Sequence, residues 1–324
     1  MTPLELSERS AYRHEAMFYA GVDGFLAATV PFLHDGMAAG EPALVAAPIG
    51  RLDALRDTLG DDIDGIEFAD MAVIGKNPAL IIAAWHDFVE AHRSSGRRLR
   101  GIGEPIFAAR SAAELVECQH HEALLNMAFA VEPPLWLVCP YDTTSLAPEV
   151  ILEAHRSHPH RSGDGAVDHA VRYDEAELRR SLFAGPRSEP PSGSTRFDIG
   201  DIHAVSTVRR DATRRALEFG APTGLRDELA LIVSELISNA IRHGDGRGTL
   251  HVWRADDHVV CQTRNPGVLT DPLVGRLRPG AEQPDGRGLW IINQLCDLVE
   301  IRTDGGEVTI TARRRIGASA DGTA

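Results

Sequence analysis

Lysine is almost missing from this 324-residue chain: Lys76 is the single lysine among 33 basic Lys and Arg residues. A phosphate-binding P-loop needs G-x-x-x-x-G-K-[S/T], and around Lys76 the chain reads Asp70-Met-Ala-Val-Ile-Gly-Lys-Asn77, without the first glycine or the Ser/Thr. That excludes a P-loop. Cysteine is also scarce. Cys118, Cys139, Cys261 and Cys296 are scattered with no C-x-x-C pair, which argues for reduced thiols in the cytoplasm and against a zinc site or a disulfide framework. No apolar run approaches a membrane span; the best, residues 78–85, is far too short. Residues 1–12 are polar and of mixed charge, unlike a signal peptide. The expectation is a cytoplasmic protein with no membrane association.

Positive charge is lacking in one half only. Residues 195–315 carry 17 Arg and 17 Asp plus Glu, so nearly all of the net −14 belongs to the first half and its linker. An acidic first half gives no support to nucleic-acid binding, which needs a basic face. With 43% apolar and 25% charged residues, the chain has a globular composition and the length for two domains.

The first half alternates helical and strand-like runs. Residues 10–20, 22–39, 52–59, 78–93 and 111–130 read as helices, the last with Ser111 as N-cap and Glu114 completing a capping box. Residues 42–47, 66–69, 99–103 and 135–139 read as strands, the last ended by Pro140. Such alternation predicts an α/β domain with a mostly parallel sheet. A short helix is expected within 173–183, then a Ser/Pro/Gly linker at 188–194. After it, a strand (195–199), helices (201–219 and 225–243), two strands (248–254, 258–264), a helix (289–298) and a hairpin of strands (299–303, 307–313) about Asp304-Gly305-Gly306 predict an α+β two-layer sandwich. The expected boundaries are a tail at 1–11, domains at 12–161 and 196–314, a linker at 162–195 and a tail at 315–324.

Three elements of the second half carry candidate chemistry. Glu235, Asn239 and His243 are spaced by four, which sets them on one stripe of a helix whose other face is apolar: Leu229, Ile232, Val233, Leu236, Ile237, Ala240 and Ile241. A carboxylate there can polarise a hydroxyl, and an amide oxygen can ligate a hard cation such as Mg²⁺. Next, Asn265-Pro266-Gly267 follows a strand; Gly267 would let a flat ring approach, and Asn265 can hydrogen-bond an exocyclic amine. By itself the triplet reads first as an ordinary turn. Last, Asp285-Gly286-Arg287-Gly288-Leu289 opens a helix, where backbone N–H groups and the dipole face an anion. Residues 268–285 between the last two form a loop of lid length.

In this order the three elements resemble the nucleotide pocket of the GHKL ATPase superfamily (gyrase, gyrase-like heat-shock chaperones, histidine kinases, MutL). Within it they look most like anti-sigma-factor serine kinases of the RsbW type, over about residues 196–314. Glu235-Leu-Ile-Ser-Asn239-Ala-Ile-Arg-His243 resembles the N box, and the run from Gly286 to Val299 resembles the second glycine box and its helix. The resemblance implies a Bergerat fold, ATP and Mg²⁺ as cofactors, Asn239 as Mg²⁺ ligand, and Glu235 as the residue polarising the attacking hydroxyl. Gly286, Arg287, Gly288 and Leu289 would lie at the phosphates, Asn265 and Gly267 at the adenine, and His243 would support the pocket. One position departs from the family: Asn265 stands where an Asp accepts the adenine amine, and a neutral acceptor is the weaker one.

The first half resembles the MEDS sensory domain, a RecA-like fold without a P-loop, over about residues 12–160. The resemblance rests on Arg100-Gly-Ile-Gly-Glu104-Pro, Glu122-Ala-Leu-Leu-Asn126 and Leu137-Val-Cys139-Pro-Tyr-Asp142. Glu104 and Glu122 read as remnants of an ATPase site, as a ligand site, or as surface and capping carboxylates. His14, His120 and His121 read as satisfied polar residues. The function implied is an ATP-binding anti-sigma factor or serine/threonine kinase under sensory control, whose partners are a sigma factor or its antagonist protein and a small molecule on the first domain. A homodimer is an open alternative. So are a sensor histidine kinase, for which residues 161–195 are too short and Pro-rich to form the dimerising hairpin, and a non-catalytic module binding partners through Arg276, Arg278, Arg287 and the helix from Asp201.

Overall fold

The structure, a computed structural model, describes residues 12–130, 134–163, 173–185, 187–200, 205–280 and 286–317. The chain divides into two compact units, Met1–Leu182 and Phe183–Ala324.

The first unit runs β1 (Arg13–Tyr19), α1 (Gly21–Ala39), β2 (Ala43–Ala47), α2 (Ile49–Leu59), β3 (Ile66–Asp70), the single turn α3 (Met71–Ile74), α4 (Ile81–His92), β4 (Leu99–Gly103), α5 (Ala112–Ala128), β5 (Leu135–Asp142), α6 (Pro148–Ser157), β6 (His160–Gly163) and α7 (Glu175–Ser181). Its sheet has the order β3-β2-β4-β5-β1-β6, and every pairing is parallel. Parallel strands are covered on both faces, so they bury nearly every residue. That explains the main departure from the sequence-based expectation: residues 10–20 are not a helix, because 13–19 form the inner strand β1. His14 and Glu15, which make the segment look amphipathic, are 1% and 5% exposed. Met17 and Tyr19 join the core with Phe25 and Leu33 of α1 and Leu52 and Leu55 of α2. Phe18, on the opposite face of the strand, stacks on His155 at 4.5 Å.

Two further departures concern proline and glycine. β5 does not stop at Pro140 but continues to Asp142. β4 pairs with it only as far as Val138, so Pro140 sits where the strand has β1 alone as neighbour and a missing N–H is tolerated. In β4, a Cβ on Gly101 or Gly103 would stand 2.9 Å from the Trp85 ring. These glycines let the fully buried Trp85 of α4 lie directly on the strand, and burial of such a ring contributes about 2–3 kcal/mol. The expected capping box is present: Ser111 Oγ accepts from Glu114 N, and Glu114 accepts from Ser111 N.

The second unit runs β7 (Thr195–Ile199), α8 (Val205–Glu218), α9 (Arg226–His243), β8 (Gly248–Ala255), β9 (His258–Pro266), α10 (Arg287–Leu295), β10 (Leu298–Asp304) and β11 (Glu307–Arg315). Its antiparallel sheet has the order β10-β11-β9-β8-β7. Leu229, Ile232, Val233, Leu236, Ile237 and Ala240 of α9 are buried, and α9 packs on β8, β9, α8 and α10. The result is the expected two-layer sandwich. α10 is earlier and shorter than the expected 289–298: it starts at Arg287, and Leu298 opens β10. Gly305 and Gly306, with φ of 57° and 82°, make the two-residue turn between β10 and β11, as a type I′ hairpin requires. Segment 183–194 has little regular structure but is held to this unit. Ala184 bridges to Thr303, Gln262 Nε2 donates to Ser188 O, and Arg187 pairs with Glu307 at 2.9 Å.

Candidate functional site

In the second unit, α9 carries Glu235 and Asn239 half-buried on one stripe, while the His243 side chain is exposed. α10 packs beside them. A Cβ added to Gly288 would stand 2.6 Å from Glu235 Oε2 and 3.3 and 3.4 Å from the two amide atoms of Asn239. Gly288 therefore brings bare backbone against the carboxylate and the amide. Asn239 Nδ2 is buried without a hydrogen-bond partner, so the amide is not spent on holding the fold. Gly286, at φ 84°, is the residue before the first turn of α10, where only glycine adopts the left-handed shape cheaply. Arg287 is exposed and donates to Gly280 O, while Leu289 is 7% exposed and packs toward Gly275. Asp285 and residues 201–204 lie outside the described residues.

The β9 corner lies at the other end of the same helix. A Cβ on Gly267, whose φ is 150°, would meet the His243 carbonyl oxygen at 2.6 Å. Asn265 is 4% exposed; its Nδ2 donates to Pro266 O, and its Cβ lies against Gly244. The structure thus brings Glu235, Asn239 and Gly288 together at mid-helix, with Gly286 at the N-cap two residues before Gly288, and Asn265 and Gly267 together one turn further on. The expected lid is anchored over 271–276: Asn293 Nδ2 donates to Gly275 O at 2.8 Å, and Arg276 is buried.

The first unit has its own cleft, of about 310 Å³, lined by Pro48, Gly50, Arg51, Glu104, Asp142 and Ser145. It lies at the carboxyl ends of β2, β4 and β5, where open parallel sheets bind ligands. Glu104 is 2% exposed, which overturns its reading as a surface or capping carboxylate. Tyr19 Oη donates to Glu104 Oε1 at 2.5 Å, and Arg51 pairs with Asp142 at 3.0 Å. Burial, reinforced by the Asp142 charge, pushes the Glu104 carboxyl up to about 7 against the opposing pull of Tyr19 and Arg51.

Glu122 is likewise 1% exposed rather than superficial. It meets His14, Cys139 and His158 in one fully buried group. The sequence reading missed this group, because its members come from β1, α5, β5 and the end of α6, and no short spacing links them. His120 is half-buried and pairs with Glu117 at 3.2 Å, and His121 is 1% exposed. All four cysteines are free and buried. Among the described residues no helix is long and apolar enough to cross a membrane.

In this antiparallel sandwich the E-x-x-x-N helix faces a glycine-opened helix. Residues 200–314 match the histidine kinase-like ATPase domain family (HATPase_c_2), and residues 13–159 match MEDS, the methanogen/methylotroph, DcmR sensory domain. The chain joins a MEDS domain to a histidine kinase-like ATPase domain. Nothing among curated proteins matches it. Among solved structures, the crystal structure of the RsbU and RsbW domains of Rv1364c from Mycobacterium tuberculosis is 20% identical over 41% of this chain, with a TM-score of 0.31. The match covers 35% of that chain, so this chain spans about a third of its length.

Proposed function

We propose that the protein is a cytoplasmic partner-switching regulator, in which the second unit binds ATP and Mg²⁺ and phosphorylates a serine or threonine of an antagonist protein, or sequesters a sigma factor, under control of the first unit. The carrying observation is the convergence of Glu235 and Asn239 on Gly288, with the Asn239 amide left without an internal partner. These residues suit a magnesium nucleotide: a hard cation takes an amide oxygen, and bare glycine backbone lets phosphates approach. Bound Mg²⁺·ATP would supply the transferable phosphoryl group and the charge that neutralises it. The chain's own part is positioning: Glu235 aligns the incoming hydroxyl and accepts its proton, Asn239 holds the cation, and the start of α10 offers N–H groups. The Arg51–Glu104–Asp142 cleft is suited to a small polar ligand as the sensed cue.

The test is incubation with labelled ATP and a candidate antagonist. Acid-stable label on the partner supports the proposal. Acid-labile label on the chain itself would mean a histidine kinase, and no ATP binding by calorimetry leaves only the sequestering role.

Two substitutions probe nucleotide binding. Gly288→Ala places a methyl 2.6 Å from Glu235 Oε2, and the half-buried Glu235 side chain can swing aside. Alanine is favoured over glycine in a helix by about 1 kcal/mol. The expected result is an unchanged or raised unfolding temperature with ATP binding lost; unchanged affinity would remove Gly288 from the pocket. Asn265→Asp makes the acceptor for the adenine amine a charged one. It is expected to tighten ATP about fivefold, corresponding to about 1 kcal/mol, in calorimetric titration. Equal or weaker binding would mean that Asn265 does not contact the base.

A further inference from the structure

The first unit holds a second group that the proposed function does not use. His14 of β1, Glu122 of α5, Cys139 of β5 and His158 at the end of α6 are between 0% and 1% exposed. One nitrogen, oxygen or sulfur atom of each lies within 4.8 Å of all the others. His14 Nε2 is 3.1 Å from Glu122 Oε2 and 3.3 Å from Cys139 Sγ, and His158 Nε2 is 3.3 Å from the same carboxylate oxygen.

The surrounding bonds fix which atoms point inward. His158 Nδ1 is 2.9 Å from the Ala154 carbonyl oxygen, which can only accept, so Nδ1 carries the proton. Asn126 Nδ2 donates to the carbonyl of Ser157 at 2.8 Å, which turns its Oδ1 to His14 Nδ1 at 3.1 Å, and that nitrogen is protonated as well. In their neutral form both rings then present an Nε2 lone pair to the centre. A carboxylate oxygen and a thiol sulfur face the same point, and Glu122 Oε1 is buried with no hydrogen-bond partner. Four such groups crowded together away from water are favourable only with protons or a cation shared among them.

We propose that His14, Glu122, Cys139 and His158 form a buried, four-coordinate site for a divalent metal ion, with Zn²⁺ as the fitting cation. Two imidazole nitrogens, one carboxylate oxygen and one thiolate are ligands zinc takes, and bonds of about 2.0–2.3 Å place tetrahedral ligands about 3.3–3.8 Å apart, so the three short contacts given above already match and the others, within 4.8 Å, need only draw in. Zinc needs no redox partner, and binding displaces the Cys139 thiol proton to solvent. Asn126 and the Ala154 carbonyl are the outer partners that orient the two rings, as metal-bound histidines require. With all four positions filled by protein the site is closed, so the ion would tie β1, β5, α5 and α6 together rather than act as a Lewis acid.

The test uses the full chain, stripped with chelator and titrated with Co²⁺ and with Zn²⁺ against a chromophoric competitor. One equivalent should bind, and Co²⁺ should give a thiolate charge-transfer band with the intense visible bands of tetrahedral coordination. The band should persist in the triple variant Cys118→Ser, Cys261→Ser, Cys296→Ser, which keeps Cys139 as its one thiol, and vanish in Cys139→Ser and Glu122→Gln. Asn126→Ala should retain the band but weaken Zn²⁺ about 10–100-fold. Absence of a thiolate–cobalt band in the wild-type chain, or its loss in the triple variant with circular dichroism unchanged, overturns the proposal even if the ligand variants fail to fold. ATP binding by the second unit is read separately, so failure here does not touch the proposed function.

Discussion

Glu235→Ala is expected to lower transfer of phosphate to a protein hydroxyl by about 10²–10⁴-fold, the range a positioned general base contributes, while leaving ATP affinity within about a factor of three. Asn239→Ala should behave differently. Its side chain is the amide with no internal partner, so its loss leaves the fold intact and removes the cation ligand. Binding of ATP in the presence of Mg²⁺ should then fail, and the difference between Mg²⁺ and chelator seen with the wild type should disappear. The two variants separate alignment from binding because both side chains face Gly288 from successive turns of α9. Quantitative single-turnover labelling of an antagonist, together with calorimetry, checks the pair. Equal loss of binding in both variants would mean that Glu235 holds the nucleotide rather than the hydroxyl.

Glu104→Gln is expected to abolish a pH dependence of stability in the first unit amounting to about 3 kcal/mol. The folded carboxyl titrates at about 7 and the ordinary one at 4.5, so the folded state keeps a proton that the unfolded chain has already released. The stability this proton confers is complete below pH 4.5 and is lost progressively as the pH rises through 7. Other carboxyls act in the opposite sense. Burial pushes Glu15 and Glu114 up, but hydrogen bonds with Ser162 and Arg13 for the first, and with Ser111 for the second, hold both net below their ordinary values, so they favour the folded state at higher pH. The diagnostic quantity is therefore the difference between wild type and variant in denaturant unfolding at pH 5 and pH 8. A difference that does not change with pH would show that Glu104 is ionised in the folded protein throughout this range. Glutamine preserves the acceptor for Tyr19 Oη, so a loss of folding is not expected.

Elements with a single strong period were legible in the amino-acid order. α9 shows its buried face as Leu229, Ile232, Val233, Leu236 and Ile237 and its polar stripe as Glu235 and Asn239, because both sides repeat with the helical period. Ser111 and Glu114 mark the start of α5 for the same local reason. β1 was illegible as a strand because both its faces are buried. Glu15 and His14 are paired across the fold rather than turned to solvent, Glu15 with Trp136, and His14 with Glu122 and Asn126. What cannot be read from local order is which distant residues converge. Glu104 and Tyr19 meet only because β1 and β4 end on the same rim of the sheet, and His14 meets His158 only because β6 returns beside β1. In the second unit the glycines of the pocket were visible as a pattern, but their reason, the room that Gly288 leaves for Glu235, is a distance between two helices.

The order β10-β11-β9 has a consequence for how the protein is made. β11 is the last strand of the second unit, yet it lies between β10 and β9 and pairs with both. Until residues 306–315 have been synthesised, β10 and β9 each lack a neighbour, and Gly267 lacks the Gly306 carbonyl to which its N–H donates at 2.9 Å. The sheet of the first unit, by contrast, is complete at Gly163. Domains fold as units during synthesis, the N-terminal one first, and pairings distant in sequence form slowly. The growing chain is thus expected to carry a folded first unit while its second still exposes open strand edges, which close only when β11 pairs with β9 and β10.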